Sequence, residues 1–361
     1  MISVILPTYN EAENIKVIVP AISKVFEQEG LAGEVIIVDD NSPDGTAEVA
    51  EGMMDRYPLR VHVRTEDRGL SKAVIKGFEL AEGEICVVMD ADMSHPVEKL
   101  PDMVRPITEE KCDITVGSRY IPGGGCETWP LPRRIISKGA GFLARGVTPL
   151  TDPTSGFMAL RKGIIHGADL DPTGWKIVLE VSVKTGARIR EVPIVFKDRM
   201  EGESKLGFKA QIDYIRHLWS LYCYKYPGLA QFVRFCLVGI SGVFADTLVL
   251  VAFVSLMSLD PRIAAIFAFA GAVSWNYIFD RLWTFEFGRH TRIPHSYLAF
   301  VAICLIGLGI RIGIMHALIE YAEMGRSPWY VVASLIGILA ATVFNFIGSK
   351  YIAFAAFLKK G

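Results

Sequence analysis

The chain has 361 residues, of which 51% are hydrophobic, and its mean hydropathy is +0.33. This is too apolar for an ordinary soluble enzyme of this length, so we expect part of the chain to lie in a membrane. The formal charge of −1 is unevenly spread, because residues 1–229 carry 28 Lys or Arg and 33 Asp or Glu, whereas residues 230–361 carry 10 and 6.

The N-terminal sequence MISVILPTYNEAEN has no basic segment and soon turns acidic, which predicts that no signal peptide is present. The six cysteines form no CxxC pair and no metal-ligand spacing. We interpret them as small core residues in a reducing compartment.

Residues 1–160 alternate apolar segments of β type with helical patterns. This alternation predicts an α/β domain with a mainly parallel sheet that is covered by helices. The predicted strands are 2–7, 34–40, 59–64, 84–90 and 112–118, and the predicted helices are 11–29, 45–57, 70–82 and 97–110.

Three of the predicted strands end in polar sequences, namely PTYNE (7–11), VDDNSPDGT (38–46) and DADMSHP (90–96). Ligands of parallel sheets bind beyond the carboxyl ends of the strands, so we expect these sequences to share one functional rim. The chain has neither a Walker A motif nor GxGxxG, which leaves P-loop and dinucleotide interpretations without support.

Asp90 and Asp92 bracket one small residue at the end of a predicted buried strand. Such a pair suits Mg²⁺ or Mn²⁺, which prefer oxygen ligands and commonly bridge to diphosphate. An ion there would neutralise the charge that develops on a leaving diphosphate. A structural interpretation also stands, in which Asp92 or Ser94 caps the helix that begins near Pro96.

Residues 208–228 interleave apolar, aromatic and basic side chains. This composition is typical of a helix that lies in the headgroup layer of a membrane. The alternative is a helix that packs on its own domain.

Four long apolar stretches follow, at about 232–257, 263–285, 296–320 and 329–358. A membrane-spanning helix needs about 20 mostly apolar residues, so each stretch is long enough to span. A large buried helical domain is the other interpretation, but four consecutive stretches of this length would need a great deal of protein to bury them.

The membrane half carries an internal repeat. NYIFDRLWTF (276–285) matches NFIGSKYIAF (345–354), and CLVGISG (236–242) is similar to CLIGLG (304–309). The repeat predicts two tandem helical hairpins of the same orientation. Parallel repeats occur in transporters, although a duplicated hairpin can equally be only an anchor.

The loops predict the orientation. The loop 287–296 and the C-terminus carry basic residues, whereas the loops 258–260 and 323–328 are short and poor in base. The positive-inside rule then places the first half of the chain, the middle loop and the C-terminus in the cytosol. We expect an integral membrane protein, of a prokaryotic plasma membrane rather than of the endoplasmic reticulum.

Eight segments together resemble the dolichyl-phosphate mannosyltransferases of glycosyltransferase family 2: VILPTYNEAENI, IIVDDNSPDGT, GLSKAVIKGF, VVMDADMSHP, VGSRYIPGG, WPLPRRIISKGA, DPTSGFMAL and EGESKLG. The tail resembles the four-helix membrane domain found on some members and on small flippase-like membrane proteins. The resemblance implies a GT-A catalytic domain at 1–207, an interfacial linker at 208–229 and a transmembrane domain at 230–361.

The resemblance also implies the reaction and its partners. Mannose would pass from GDP-mannose to dolichyl or polyprenyl phosphate with the help of Mg²⁺ or Mn²⁺, giving a lipid-linked donor for protein glycosylation. Membrane lipids are expected partners, and nucleic acid is not. By motif, Pro7, Tyr9 and Glu11 would line the nucleotide, and Val38 and Asp40 would lie at its base.

The acidic motif is implied to contact the diphosphate and its ion through Asp90, Ala91 and Asp92. The family often has Gln where this chain has Ser94. Because a hydroxyl is a shorter ligand, Ser94 would reach the ion only through water.

Basic residues complete the implied site. Arg119 would hold a phosphate, Arg133 is a candidate for the lipid phosphate, and Arg199 and Lys205 would clamp the donor from a mobile loop. The implied catalytic set is therefore Asp92, Arg119, Arg133 and Lys205.

Elementary chemistry agrees with such a site. Sugar transfer passes through an oxocarbenium-like state, and a phosphate monoester with a second pKa near ~6 is already largely ionised at neutral pH. The acceptor then needs little general base, and the harder task is to bring two anions together, which clustered basic residues and a divalent ion achieve. Displacement from the opposite face would invert the anomeric centre.

Three other interpretations remain. A processive polysaccharide synthase of the same fold would carry QxxRW, which QIDYIRHLW (211–219) does not fit. A glucosyltransferase that uses UDP-glucose is excluded by no residue. A lipid-linked sugar flippase with residues 1–229 as a regulatory module is a third class, against which the intact acidic motif argues.

Overall fold

Each half of the chain folds as a unit of its own in the computed structural model, and the units are Met1–Lys225 and Tyr226–Gly361. The predicted clamp residues Arg199 and Lys205 lie outside the described residues, and the finer predicted division at 207 and 229 stays a prediction. The described residues are 1–127, 129–171, 176–197, 208–324 and 329–355.

The first unit is built on a mainly parallel sheet, as the alternation of strands and helices predicts. Within the described residues, seven strands join in the order β3-β2-β1-β4-β7-β5-β8, and β6 pairs with β9 separately. The strands are β1 Ile2–Thr8, β2 Gly33–Asp39, β3 Leu59–Val63, β4 Ile85–Val88, β5 Ile114–Ser118, β6 Gly125–Cys126, β7 Met158–Arg161, β8 Ile189–Pro193 and β9 Val195–Phe196.

Helices cover both faces of this sheet. The five predicted strands and four predicted helices are present, although α2 is shorter than the expected 45–57. The helices of the first unit are α1 Ala12–Glu29, α2 Thr46–Glu51, α3 Leu70–Leu80, α4 Leu100–Thr108, α5 Leu131–Ala144, α6 Ile177–Lys184 and α7 Phe208–Lys225.

Alternate residues of β1 are buried on opposite faces of the sheet. Val4 and Leu6 belong to one hydrophobic core, which α1 and α4 complete. Ile5 belongs to the other, which α3 and α6 complete. Because both faces of such a strand are buried, polar side chains that reach solvent or a ligand lie at the ends of the strand.

The chain changes direction across the sheet at β1. β2 and β3 follow on one side of β1, and β4 lies on the other side, parallel to it. This is a topological switch point, where open α/β sheets form a ligand-binding crevice beyond the strand ends.

Two strands of the sheet were missed by the sequence patterns, β7 and β8. β7 is only four residues long and runs antiparallel to both β4 and β5. β8 lies at the edge of the sheet, and its IREVP sequence mixes charged and apolar residues. Periodicity is weak in such short or edge strands.

The helix α7 packs on its own unit along one face. Leu218 and Leu221 are buried against the ends of α5 and α6. His217 shares a hydrogen bond of 2.9 Å with the buried carboxylate of Glu180, and Tyr214 Oη donates to the Ala140 carbonyl at 2.7 Å. One face of α7 therefore packs on its own domain, which is the second of the two interpretations of residues 208–228.

The remaining surface of α7 is exposed and mixes polar with apolar side chains, of which Ile215, Trp219 and Tyr224 are each 45% exposed or more. An amphipathic helix with aromatic residues on its outer face is also suited to a headgroup layer. The two interpretations therefore describe two faces of one helix.

In the second unit, the described residues include four helices long and apolar enough to cross a membrane, as predicted. They are α8 Pro227–Met257, α9 Pro261–Phe279, α10 Ile293–Tyr321 and α11 Trp329–Gly348. Together with its composition, this makes the chain a membrane protein.

The internal repeat is visible in the backbone. α9 continues into a π-helical turn at Asp280–Thr284, and α11 continues into another at Ser349–Ala353. The turns lie 69 residues apart and precede the buried Phe285 and Phe354. The sequence repeat therefore encodes the same helix end twice.

The buried carboxylate of Glu180 gives a stability prediction. Burial raises its pKa, but hydrogen bonds from His217, Lys184 and the Asp171 N–H outweigh burial and lower it below 4.5. The ionised form therefore contributes stability above about pH 4.5, and this contribution is lost as the pH falls through the lowered pKa. Glu180→Gln should destabilise the first unit by about 3 kcal/mol at pH 7.

Thermal unfolding in detergent measures this loss. Glu79→Gln is the matched control, because Glu79 makes an exposed pair with Lys76, and its removal should cost less than about 1 kcal/mol. The loss in free energy of unfolding caused by Glu180→Gln should become smaller below pH 4.5. A loss that does not change with pH would contradict the conclusion that Glu180 is ionised in the folded protein.

Candidate active site

Three strand ends meet at the switch point. Pro7 of β1 lies opposite Val38 of β2 in the parallel register, and Ile5 of β1 lies opposite Val88 of β4. The polar sequences that follow these strands therefore share one edge, as the sequence predicted. Asp90, which lies two residues after β4, belongs to this edge.

Hydrogen bonds tie the first two loops together. The Ala12 N–H, at the start of α1, donates to Asp44 Oδ2 at 3.0 Å, and the Glu11 N–H donates to Thr46 Oγ1 at 2.9 Å. Thr8 Oγ1 donates to the buried Asp39 at 2.9 Å. Asp39 and Asp44 therefore shape the crevice wall.

The backbone is left-handed in each of the three loops. Asn10 follows β1, Asn41 follows β2 and Met93 lies in the loop after β4, with φ values of 60°, 55° and 60°. Asn tolerates this region, whereas a left-handed Met is uncommon. Such conformations cluster at functional sites, where the surrounding structure enforces them.

The predicted nucleotide contacts are partly engaged within the protein. Tyr9 is 45% exposed at the rim. Glu11 accepts a hydrogen bond from Asn14 at 2.6 Å. Asp40 is buried, forms an ion pair with Arg64 at 2.9 Å and accepts the Gly69 N–H at 2.7 Å. Their contacts with a nucleotide stay predictions.

Asp90 is held from behind by His95. The Asp90 N–H donates to His95 Nδ1 at 3.1 Å, so the ring carries its proton on Nε2. Burial lowers the pKa of His95, and the carboxylates of Asp90 and Asp92 oppose only part of that shift. The ring, stacked on Phe157 at 5.3 Å, is therefore a neutral positioning group.

Gly156 packs against the same residues. A Cβ at this position would lie 3.1 Å from both Asp90 Oδ2 and His95 Cε1. The glycine of the DPTSG segment therefore allows the turn to approach the carboxylate closely.

The acidic motif fits a divalent ion. Asp92 is buried and accepts the Ser94 N–H at 3.1 Å. Ser94 Oγ is also buried, and no described residue hydrogen-bonds to it. A buried hydroxyl without a partner beside a carboxylate pair suits a ligand that the chain alone does not supply.

The chain would supply only part of the coordination sphere. Among the described residues, no group of three His, Cys, Asp or Glu side chains could hold a metal ion. Mg²⁺ and Mn²⁺ commonly take their remaining oxygen ligands from phosphate and water. An ion held by Asp90 and Asp92 would therefore need further oxygen ligands from outside the chain.

The capping interpretation has little support in the contacts. A 3₁₀ turn begins at Val97 and α4 begins at Leu100. No side chain among the described residues makes a capping hydrogen bond at Pro96 or Lys99.

Arg119 is committed to a buried carboxylate. Its Nε and Nη2 each donate to Asp152 at 2.6 Å, and Nη2 also donates to Thr154 Oγ1 at 2.9 Å. Asp152 is fully buried. This bidentate pair fixes the turn that carries Gly156 and favours a positioning role. The phosphate contact of Arg119 stays a prediction.

Trp129 separates two arginines. The guanidinium of Arg119 lies 4.8 Å from the indole ring and that of Arg133 lies 4.0 Å from it. The indole N–H is buried and has no hydrogen-bond partner among the described residues. The indole N–H is a hydrogen-bond donor and the Arg133 guanidinium is a cation, so both groups are suited to binding an anion.

Lys176 is a site residue that the sequence patterns missed. Its Nζ donates to the Thr154 carbonyl at 3.4 Å and interacts with the charges of Arg119, Asp152 and Asp90. Burial and the neighbouring Arg119 charge lower the pKa of Lys176 to about 8. Only the fold brings it here, because it precedes α6, far from the acidic motif in sequence.

Lys197, which precedes the predicted clamp residues Arg199 and Lys205, lies beside the acidic motif. The Lys197 N–H, two residues before Arg199, donates to the Ser94 carbonyl at 3.1 Å. Arg199 and Lys205 lie outside the described residues, so their roles stay predictions.

Family models match both halves of the chain. Residues 3–167 match Glycosyl transferase family 2, and residues 234–354 match the GtrA/DPMS transmembrane domain. The mannosyl-3-phosphoglycerate synthase of Rubrobacter xylanophilus covers 62% of this chain and 74% of its own at a TM-score of 0.48 and 19% identity, too remote to bear on function.

Closer relatives share the whole or most of the chain. The dolichol-phosphate mannosyltransferase of Pyrococcus furiosus is 37% identical over 360 residues, which cover 98% of this chain and 99% of the relative. That of Saccharomyces cerevisiae is 40% identical over 250 residues, which cover 64% of this chain and 92% of the relative.

These matches make the chain a membrane-bound glycosyltransferase of family 2. With a relative 37% identical along nearly the whole of both chains, it belongs to the dolichol-phosphate mannosyltransferase family. The resemblance seen in the sequence is confirmed, and the glucosyltransferase and flippase interpretations are not favoured.

Lys176→Met should slow sugar transfer about 100-fold, because a positive charge that interacts with Asp90 is lost. The wild-type rate should fall as the pH rises through about 8, where Lys176 loses its proton. Lys176→Arg should remove that fall. A rate assay from pH 6 to 10 checks this, with the exposed Lys111→Met as control. Full activity of Lys176→Met would contradict the role.

Ser94→Ala should raise the concentration of Mg²⁺ or Mn²⁺ needed for half-maximal rate about tenfold and leave the maximal rate unchanged. The matched control is Ser23→Ala, whose buried hydroxyl also has no partner among the described residues but lies in α1. Metal titrations of the transfer rate measure both. Equal responses would mean that Ser94 Oγ does not reach the ion.

Proposed function

We propose that the enzyme transfers mannose from GDP-mannose to dolichyl or another polyprenyl phosphate, with Mg²⁺ or Mn²⁺ and with inversion at the anomeric carbon. The observation that carries the proposal is the placement of Asp90 and Asp92 at the switch point. The names of the relatives supply the sugar and the lipid class.

The diphosphate of the donor would bind at Asp90, Ala91 and Asp92 with the ion between them. When bound, the ion supplies Lewis-acid neutralisation of the leaving diphosphate. His95 and Gly156 hold Asp90 in place. The ammonium of Lys176 adds a positive charge within range of Asp90.

The nucleoside would lie across the loops that follow β1 and β2. Pro7, Tyr9 and Glu11 would line one wall, and Val38 and Asp40 the base. The cross-loop hydrogen bonds of Asp39 and Asp44 keep this wall in shape before the donor arrives.

The acceptor phosphate would bind at Arg133 and the Trp129 N–H, with Arg119 holding the geometry through Asp152. A phosphate monoester is already ionised near neutral pH, so attack needs no strong base. Arg199 and Lys205 would close on the donor from the segment that begins beside Ser94.

The lipid would reach the site along the membrane surface. α5, which carries Arg133, exposes Leu131, Ile135 and Phe142 by 62% or more. Exposed apolar side chains beside basic ones suit a headgroup layer. We expect α7 to lie in the same headgroup layer. The catalytic domain at 1–207 and the linker at 208–229 would then be on the cytosolic side of a prokaryotic plasma membrane, and residues 230–361 would span that membrane.

Asp92→Asn should lower mannolipid formation about 10³-fold, and chelator should do the same to the wild type. Radiolabelled transfer from GDP-mannose to a polyprenyl phosphate in detergent is the assay. Asp102→Asn is the control, because Asp102 makes a surface pair with Lys99. An unchanged rate of mannose transfer in Asp92→Asn would contradict the proposed diphosphate and metal site.

The same assay separates the sugars. Transfer from GDP-mannose and none from UDP-glucose is expected. The reverse result would keep the chemistry and replace the sugar. A β-linked product in the NMR spectrum would support inversion, and an α-linked product would overturn it.

A further inference from the structure

The second unit contains an open cavity of about 410 Å³. It lies where the first turns of α8 meet the turn that follows α9. The transfer reaction proposed above makes no use of it. The residues that line it are Arg234, Leu282, Trp283, Arg289 and His290.

One wall of the cavity is a fixed turn. Arg281 donates to Tyr277 Oη at 2.8 Å and to the Thr291 carbonyl at 2.9 Å, which fastens the segment that follows α9. A Cβ on Gly288 would lie 2.9 Å from the Arg281 carbonyl oxygen, so only glycine allows this approach. Arg289 donates through Nη2 to the Leu282 carbonyl at 2.7 Å. The wall is therefore built before any ligand binds.

The lining of the cavity is positively charged, and no side chain that the structure describes forms an ion pair with its two arginines. None of its five lining residues is acidic. Arg234 makes no ion pair or hydrogen bond with another described residue, and Arg289 bonds only to a carbonyl oxygen within the described part of the chain. An arginine on a spanning helix without a carboxylate partner implies an anion from elsewhere.

The same cavity also has an apolar side. Leu282 is 51% exposed and Trp283 is 49% exposed. An anionic headgroup that continues into a hydrocarbon chain would satisfy both sides, whereas a free anion would use only the arginines.

The repeat shows that this is not a general feature of the hairpin. Sixty-eight residues after Arg234 the second hairpin has Ala302, and 69 residues after Trp283 it has Ile352. The π-helical turn is present in both hairpins. The second hairpin carries its basic and aromatic pair, Lys350 and Tyr351, within the π-helical turn itself, so the arrangement of Arg234 and Trp283 is particular to the first hairpin.

We propose that this cavity binds the phosphate headgroup of a membrane lipid, with Arg234 and Arg289 on the phosphate and Leu282 and Trp283 beside the first part of the hydrocarbon chain. The site belongs to the membrane unit and does not rest on the proposed transfer reaction. The competing view is that these residues are ordinary anchors at the membrane interface.

Photo-crosslinking of the full chain in a neutral maltoside detergent tests the site. The probe is a short isoprenyl phosphate that carries a diazirine near its headgroup, and peptide mass spectrometry locates the label. We expect label on peptides from residues 226–292. Unlabelled isoprenyl phosphate and phosphatidic acid should compete, and isoprenyl alcohol and inorganic phosphate should not.

Arg234→Gln should lower labelling of these peptides roughly fivefold. This substitution removes no hydrogen bond or ion pair with a described residue, so we expect the fold to be unaffected. Arg292→Gln is the matched control, because Arg292 is an exposed arginine just before α10 that does not line the cavity. Labelling of Arg292→Gln should stay within twofold of the wild type.

Each outcome decides the proposal. Equal labelling of Arg234→Gln and Arg292→Gln would overturn the site, and competition by inorganic phosphate would overturn the lipid as its source. Competition by phosphatidic acid at a much lower concentration than by isoprenyl phosphate would keep a lipid-phosphate site and assign it to bilayer phospholipid. Label on peptides from residues 1–225 reports the proposed acceptor site separately.

Discussion

The catalytic unit depends on strands that are buried on both faces. Because β1, β2 and β4 have no polar face, the charged groups that these strands could offer a substrate lie at their ends or in the turns beyond them. The switch point then determines which ends are adjacent. The location of the chemistry is thus a consequence of burial and strand order.

This dependence explains which parts of the site the sequence could reveal. The acidic motif directly follows a strand, so local pattern and the rule for parallel sheets were enough to place Asp90 and Asp92. Lys176 and Asp152 gave no such signal, since only tertiary packing around the antiparallel β7 brings them to Arg119. The ion pair also changes the interpretation of Arg119, because a sequence motif cannot show that an arginine is already engaged.

The membrane unit was predictable for a different reason. Spanning helices must satisfy a length and an apolar composition, so four spans and their repeat could be read directly. The linker helix was harder, because an amphipathic pattern states that one face is apolar but not what covers it. In the structure Leu218 and Leu221 are covered by the protein, whereas Trp219 remains exposed. The cavity near Arg234 needed tertiary structure, since its walls come from separate helices.

The eight-residue helix α6 joins two regions that sequence keeps apart. Lys176 immediately precedes it, and Glu180, one turn along, is bonded to His217 of α7. About two turns of one helix therefore set both the position of the Lys176 ammonium and the contact with α7, so the catalytic rim and the linker helix share a single structural support.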